Sequence, residues 1–462
     1  MKPEKLVIEK LANGIIELSS IRFSEKVMNI AKELIVDVSG AILAGSNTNS
    51  IRSIFDVASE IYPSGKCNVI GRTKSLNPSG AAFVNGASAH SLEFDDNCYA
   101  GIVHGSAVVF PAVLAFAQFR ALSGLDLLRS FIIGLEVEFA VAKAFSNSIY
   151  DTGWWTTSVL GSIGSAAGVA SLATTNIREI ENALSLAIAG VGATRAVRGT
   201  SAKHYYCGRA AESGVTANLL AMKGLTGPLD VFEDKQGIIS ILNDNAFEHS
   251  YISDIGKEFS LLNPGVDIKK YPVCYASHAA ADAVKSIIES KNITIENVDK
   301  IICTVPPIIA SNLTFNKPKS VKEAQFSLEF PIALMIKYGD IELKHLSSDY
   351  IFDPSIKNLM NKVTMNVAKL PKRFNPSRKI CPEWSIVELH TKNGECHEKF
   401  IGAPLGSSVD PLPRDKLYEK FTSCVKFSNK NCHSLSDVKL ISNLDLIILF
   451  LAKSIFLIFS II

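Results

Sequence analysis

The chain has 462 residues, 47% hydrophobic and 20% charged, with 47 Lys and Arg against 45 Asp and Glu for a formal net charge of +2. That balance excludes a disordered polar chain, and without a long basic run it lacks the electrostatic footprint of a nucleic-acid binder. The length exceeds one typical domain and points to two.

The start, MKPEKLVIEKLANGII, intersperses charges among its apolar residues and offers no secretory h-region, so a cytoplasmic location is expected. Nine cysteines, at positions 67, 98, 207, 274, 303, 381, 396, 424 and 432, are scattered with no CxxC pair. They read as reduced thiols rather than a disulfide framework or a zinc site.

In residues 24–45, Val27, Ile30, Ala31, Leu34, Val38, Ile42 and Leu43 fall on one helical face, with Ser24 as N-cap. Helical stretches follow at about 106–123, 125–145, 157–173, 179–192 and 208–223. The 157–173 stretch is dense in Gly, Ala and Ser, as in an interior helix that neighbours approach closely. The character changes after Asn263-Pro264-Gly265. One more helix, about 277–290, precedes β-rich text at 300–305, 362–368 and 385–389, and Asn393-Gly394 marks a hairpin. The expected architecture is mainly α: an all-helical domain over 1–262, a smaller α+β domain over 263–405, and a segment 406–462, helical at 411–425 and partly returning to the first domain. The apolar run 446–462, LIILFLAKSIFLIFSII, fits a buried last helix, a degenerate terminus or a membrane tail, the last disfavoured by Lys453.

Three groups of residues could carry chemistry. The first, HSLEFDDNCYAGIVHGS at 90–106, sets two histidines, three carboxylates and an Asn close together. If buried, those acids need compensating cations or donors, or a raised pKa. A solvated acidic turn and a metal site from Asp95, Asp96 and His104 are the alternatives. The second, SAKHYYCGRAA at 201–211, follows Arg195 and Arg198; cations ahead of a helix N-terminus suit an anionic substrate, and a charged surface loop is the bland reading. The third, KKYPVCYASH at 269–278, offers His278 at a domain junction, where pockets commonly form. No GxGxxG, P-loop, HExxH or GxSxG motif is present, which removes the common dinucleotide, nucleotide, zinc-protease and serine-hydrolase readings.

Taken in order, AAFVNGASAHSLEFDDN, HGSAVVFPAVLA, GWWTTSVLGSIGSAAG, AKHYYCGRAAESG, GLTGPLDVFED, KKYPVCYASHAAADA and EAQFSLEF resemble the MmgE/PrpD family, from about residue 5 to about 425. Its members include 2-methylcitrate dehydratase, cis-aconitate decarboxylase and iminodisuccinate epimerase. The resemblance implies a large helical domain, a smaller α+β lid domain, a homodimer and no cofactor or metal. Carried over motif by motif from the decarboxylase, its pocket positions fall on His104, Lys203 and His278, which match. They also fall on Glu93 for Asp, Asn97 for Thr, Trp155 for His and Phe330 for Tyr. Those four departures weigh against a strict cis-aconitate decarboxylase, and His104-Gly105-Ser106-Ala107 departs from the HPSD of methylcitrate dehydratases.

The implied activity is that of a lyase, a dehydratase or decarboxylase acting on a small di- or tricarboxylate. Lys203, with Arg195 or Arg198 nearby, would hold a carboxylate, while His104 and His278 exchange protons and the Asp95-Asp96 pair orients His104 or the loop rather than acting as base. Glu93, Asp96, Asn97, Trp155 and Phe330 are expected around the substrate. A racemase or epimerase of an amino- or imino-dicarboxylate, and a catalytically inactive family member, are the rival readings.

Overall fold

The structure is a computed structural model and describes residues 5–190, 192–374 and 380–428. The apolar run 446–462 and Cys432 lie outside these residues. The chain is mainly helical, with one four-stranded mixed sheet. Its contacts divide it into two units. The first takes residues up to Val197, Ser201–Val266 and the chain from Leu417; the second takes Arg198–Thr200 and Asp267–Lys416.

In the first unit the Glu25–Gly45 helix starts where Ser24 accepts a hydrogen bond from the Val27 amide, and it buries Val27, Ala31, Leu34 and Val38. The long helices Pro78–His90, Gly105–Arg120, Gly124–Phe145, Thr156–Ala173 and Ala202–Ala221 pack on one another. The small residues of Thr156–Ala173 are there for backbone contact. A Cβ on Gly134 of the neighbouring helix would lie 2.8 Å from the carbonyl oxygen of Gly164 and 3.2 Å from Cα of Gly168. Any larger side chain would force the two helices apart.

The first unit is almost wholly helical, as expected, with one short strand at Ser64–Cys67. One expectation needs correcting. The last long helix of that region begins at Ala202, not near 208, so the basic and aromatic segment is the first turns of the helix and does not precede it. Tyr205, Tyr206, Cys207 and Gly208 are weak helix formers; burial of Lys203, His204, Cys207 and Gly208 against neighbouring helices overrides that propensity.

In the second unit the strands run in the order Val363–Val367, Val298–Val305, Ser385–Thr391, Cys396–Ile401. The first pair is parallel and the other two are antiparallel. Val387 and Leu389 alternate with half-exposed Glu388 and His390, so one face of the sheet is apolar. That face joins Val284, Ile287, Ile301, Cys303 and Phe330 in a single core. Gly394, at φ +89°, turns the chain between the last two strands, as the Asn-Gly pair implied. The eight cysteines among the described residues are free thiols.

Candidate active site

His90 is the last residue of its helix, and the chain then passes through an irregular turn, 91–97, before Cys98 and Val103 bridge and His104 leads into the next helix. Glu93 adopts φ +53°, a backbone region that a residue with a Cβ enters only under constraint. The solvated-turn reading does not hold. Glu93, Asp95, Asp96, Asn97 and His104 are all buried.

The Ala202–Ala221 helix delivers Lys203 from its first turn into this buried group. Lys203 Nζ donates to both carboxylate oxygens of Glu93, at 2.7 and 2.9 Å, and to Nε2 of His90 at 2.5 Å. His90 in turn donates from Nδ1 to Oδ2 of Asp95 at 2.7 Å. The partners fix the tautomer: Nδ1 carries the proton and Nε2 the lone pair. His104 Nδ1 donates to the backbone carbonyl of Asp96 at 2.6 Å, so neutral His104 has its lone pair on Nε2. The backbone amide of His104 donates to Thr157 Oγ1 at 3.1 Å, which ties the ring to the start of the Thr156–Ala173 helix.

Trp155, the residue before that helix, closes the group. Its ring lies 5.6 Å from each of the His90 and His104 rings and 4.3 Å from the Lys203 ammonium. Two buried donors here, Trp155 Nε1 and Asn97 Nδ2, have no hydrogen-bond partner among the described residues. Buried polar groups of that kind call for a partner, which a water or a ligand supplies.

Asp96 does not orient His104 through its carboxylate. That carboxylate accepts from the Ser106 hydroxyl, and the backbone carbonyl of Asp96 holds His104. Burial, with the charges of Asp95 and Asp37 added, pushes the Asp96 carboxyl up to about 8 against the lowering effect of Ser106. Glu138 is buried behind it with neither oxygen hydrogen-bonded among the described residues. Burial, and then the charge of Asp96, raises its carboxyl well above the usual range.

His90, Asp95 and His104 bring three potential ligand atoms within 4.8 Å of one another. In this arrangement the Nδ1 atoms of both rings are donors, and the lone pair of His90 Nε2 faces an ammonium. Each of these groups thus already has a hydrogen-bond partner within the chain. In the second unit Glu388, His390 and Cys396 form another such group on the more exposed face of the sheet.

The remaining expected residues divide. Arg195 donates to the Tyr150 carbonyl at 3.2 Å and stacks 3.8 Å over the Tyr150 ring. Arg198 belongs to the second unit and donates to the Ser311 carbonyl. His278 is buried in the second unit, its ring 5.1 Å from that of Tyr271 and 4.9 Å from that of Tyr275. Phe330 is fully buried in the apolar core of the same unit. His90, at the centre of the hydrogen-bonded chain, was not singled out from the sequence; its spacing to Glu93 and Asp95 was the available signal.

Residues 9–249 match the MmgE/PrpD N-terminal domain and residues 271–446 the MmgE/PrpD C-terminal domain. The chain is 28% identical over 438 residues to cis-aconitate decarboxylase of Homo sapiens, covering 90% of this chain and 87% of that protein. It is also 28% identical over 436 residues to the Mus musculus cis-aconitate decarboxylase, covering 90% and 86%. A cis-aconitate decarboxylase of Aspergillus terreus is 23% identical over 439 residues, covering 90% and 88%. With both domains matched in order and most of the chain covered, the protein belongs to the MmgE/PrpD family.

Proposed function

We propose that the protein is a cofactor-independent lyase that acts on a small di- or tricarboxylate by general acid–base proton transfer. Decarboxylation is favoured over dehydration because the relatives above are named for it. The observation that carries this reading is a buried ammonium, Lys203, set among two histidines and the two partnerless donors Trp155 Nε1 and Asn97 Nδ2. Such a group suits a carboxylate through its two partnerless donors, which take oxygens; Lys203, whose three N–H are held by Glu93 and His90, would give up one of these partners to meet it.

In a decarboxylation the carbon–carboxylate bond breaks and CO2 leaves. The bond's electron pair passes into the carbon skeleton, which takes up one proton. His104, whose Nδ1 is committed to the Asp96 carbonyl, exchanges that proton at Nε2. His278, which the family resemblance makes a second proton carrier, is retained in this role. The homodimer and the cytoplasmic location belong to the same reading, as does activity that survives a chelator.

The test is proton NMR in heavy water with a panel of di- and tricarboxylates. Loss of CO2 with one deuterium entering at carbon, or loss of water with one carbon-bound proton removed and none gained, is the expected result, and His104→Gln and His278→Gln should each lower it by about 10²-fold or more. Deuterium exchange with an unchanged skeleton would indicate an epimerase. No reaction with any acid would indicate an inactive family member.

A further inference from the structure

The turn that carries Glu93, Asp95, Asp96 and Asn97 is held from outside by a residue more than 300 positions away. Lys420, on the Arg414–Ser428 helix, donates from Nζ to the backbone carbonyl of Phe94 at 2.7 Å. The same ammonium lies 2.5 Å from Asp37 Oδ1 and 4.1 Å from the centre of the Phe94 ring. Lys420 and Asp37 are both buried. Gly40 brings the Arg414–Ser428 helix down onto Glu25–Gly45: a Cβ there would lie 3.1 Å from Phe421 Cδ2.

The position of that contact gives it its meaning. Phe94 stands between Glu93, which grips Lys203, and Asp95, which grips His90. With Glu93 in the left-handed region, the turn has little tendency to keep this shape unaided. One carbonyl fixed at its centre sets the direction of the side chains on both sides.

We propose that Lys420 is a positioning residue of the candidate active site: by fixing the Phe94 carbonyl against Asp37, it holds the turn so that Glu93 meets Lys203 and the Asp96 carbonyl meets His104. The proposal rests on the reading of residues 90–104 as the active site. It also gives the Arg414–Ser428 helix, which from Leu417 onward belongs to the first unit, a purpose beyond packing. Asp37 adds to the charge felt by Asp96, so Lys420 also shields the site from an uncompensated carboxylate.

The test uses the full chain with labelled histidine, the His90 and His104 imidazole signals being assigned from His90→Gln and His104→Gln. Lys420→Met should displace both signals. It should also reduce turnover by about 10²-fold, the scale of loss from a misplacement of about 1 Å. The decisive variant is Asp37→Asn with Lys420→Met, which removes the buried charge pair together and keeps the fold accessible if the single variant is unstable. The double variant should recover the unfolding midpoint while its imidazole signals and turnover remain displaced. If it recovers all three, or if Lys420→Met leaves the imidazole signals in place, Lys420 serves the core alone and the proposal is wrong. The imidazole measurement needs no substrate. A wild-type protein inert towards every polycarboxylate would therefore overturn the proposed lyase and leave the positioning test intact.

Discussion

Glu93 holds the ammonium of Lys203 with both carboxylate oxygens, from a backbone turned to φ +53°. Both side chains are almost fully buried. Removing one partner strands the other as an unpaired charge, a loss of about 3–5 kcal/mol for buried pairs. Lys203→Met should therefore lower stability by that amount in urea unfolding. Lys203→Met with Glu93→Gln should return most of it, since no charge is left behind. If Lys203 serves the proposed lyase, turnover should stay lost in both; recovery of activity in the double variant would remove Lys203 from the chemistry.

His90 links Lys203 to Asp95 through both ring nitrogens, one accepting and one donating. A Gln side chain also offers one acceptor and one donor, but on one carbon rather than across a ring, so it cannot span both partners. His90→Gln should cut kcat by about 10²-fold, because Lys203 loses an acceptor. An unchanged kcat with only a lower melting temperature would reduce His90 to packing.

Asp96 gives a pH signature. Its carboxyl is pushed up to about 8 by burial, so between its unfolded range near 3.8 and that value the folded state holds a proton that the unfolded state has released. Stability is complete below the unfolded value and falls as pH rises through this window, by up to about 1.4 kcal/mol per unit. Asp96→Asn keeps the shape without the titration. Its stability relative to wild type should therefore climb from about pH 5 to pH 8 in urea midpoints; a constant difference would show that Asp96 is ionised throughout. Glu138→Gln should show the same trend, since burial raises that carboxyl too.

How much of this was legible in the sequence depends on how local each feature is. The helix capped by Ser24 and the alternating strand Ser385–Thr391 rest on short-range periodicity, which the residues display directly. Glu93, His104 and Lys203 came from family motifs, and they do converge. The grip of His90 on Lys203 joins residues 113 positions apart, and that of Lys420 on Phe94 joins residues 326 apart. No periodicity records such contacts. Phe330 illustrates the converse: a motif position whose side chain fills the core of the second unit.

Trp155 is the departure with the largest expected effect on substrate choice. An indole is larger than the imidazole that the family resemblance implies at this position, and it donates one hydrogen bond but neither accepts one nor shuttles a proton. Its neighbour Trp154 pairs through its backbone with Thr194, whereas the Trp155 ring faces His90, His104 and Lys203. A ring in that position takes space from the substrate and leaves a single donor, Nε1, for a carboxylate oxygen. The wild-type protein should accordingly prefer an acid smaller or less charged than cis-aconitate or 2-methylcitrate. Trp155→His should widen the range of di- and tricarboxylates turned over and improve the larger ones most. Losing the large ring and its contact with the ammonium should cost about 1–3 kcal/mol of stability. The two effects separate when turnover of an acid panel is read beside thermal unfolding. A variant less stable but unchanged in its preferences would make Trp155 a packing residue and leave the size argument without support.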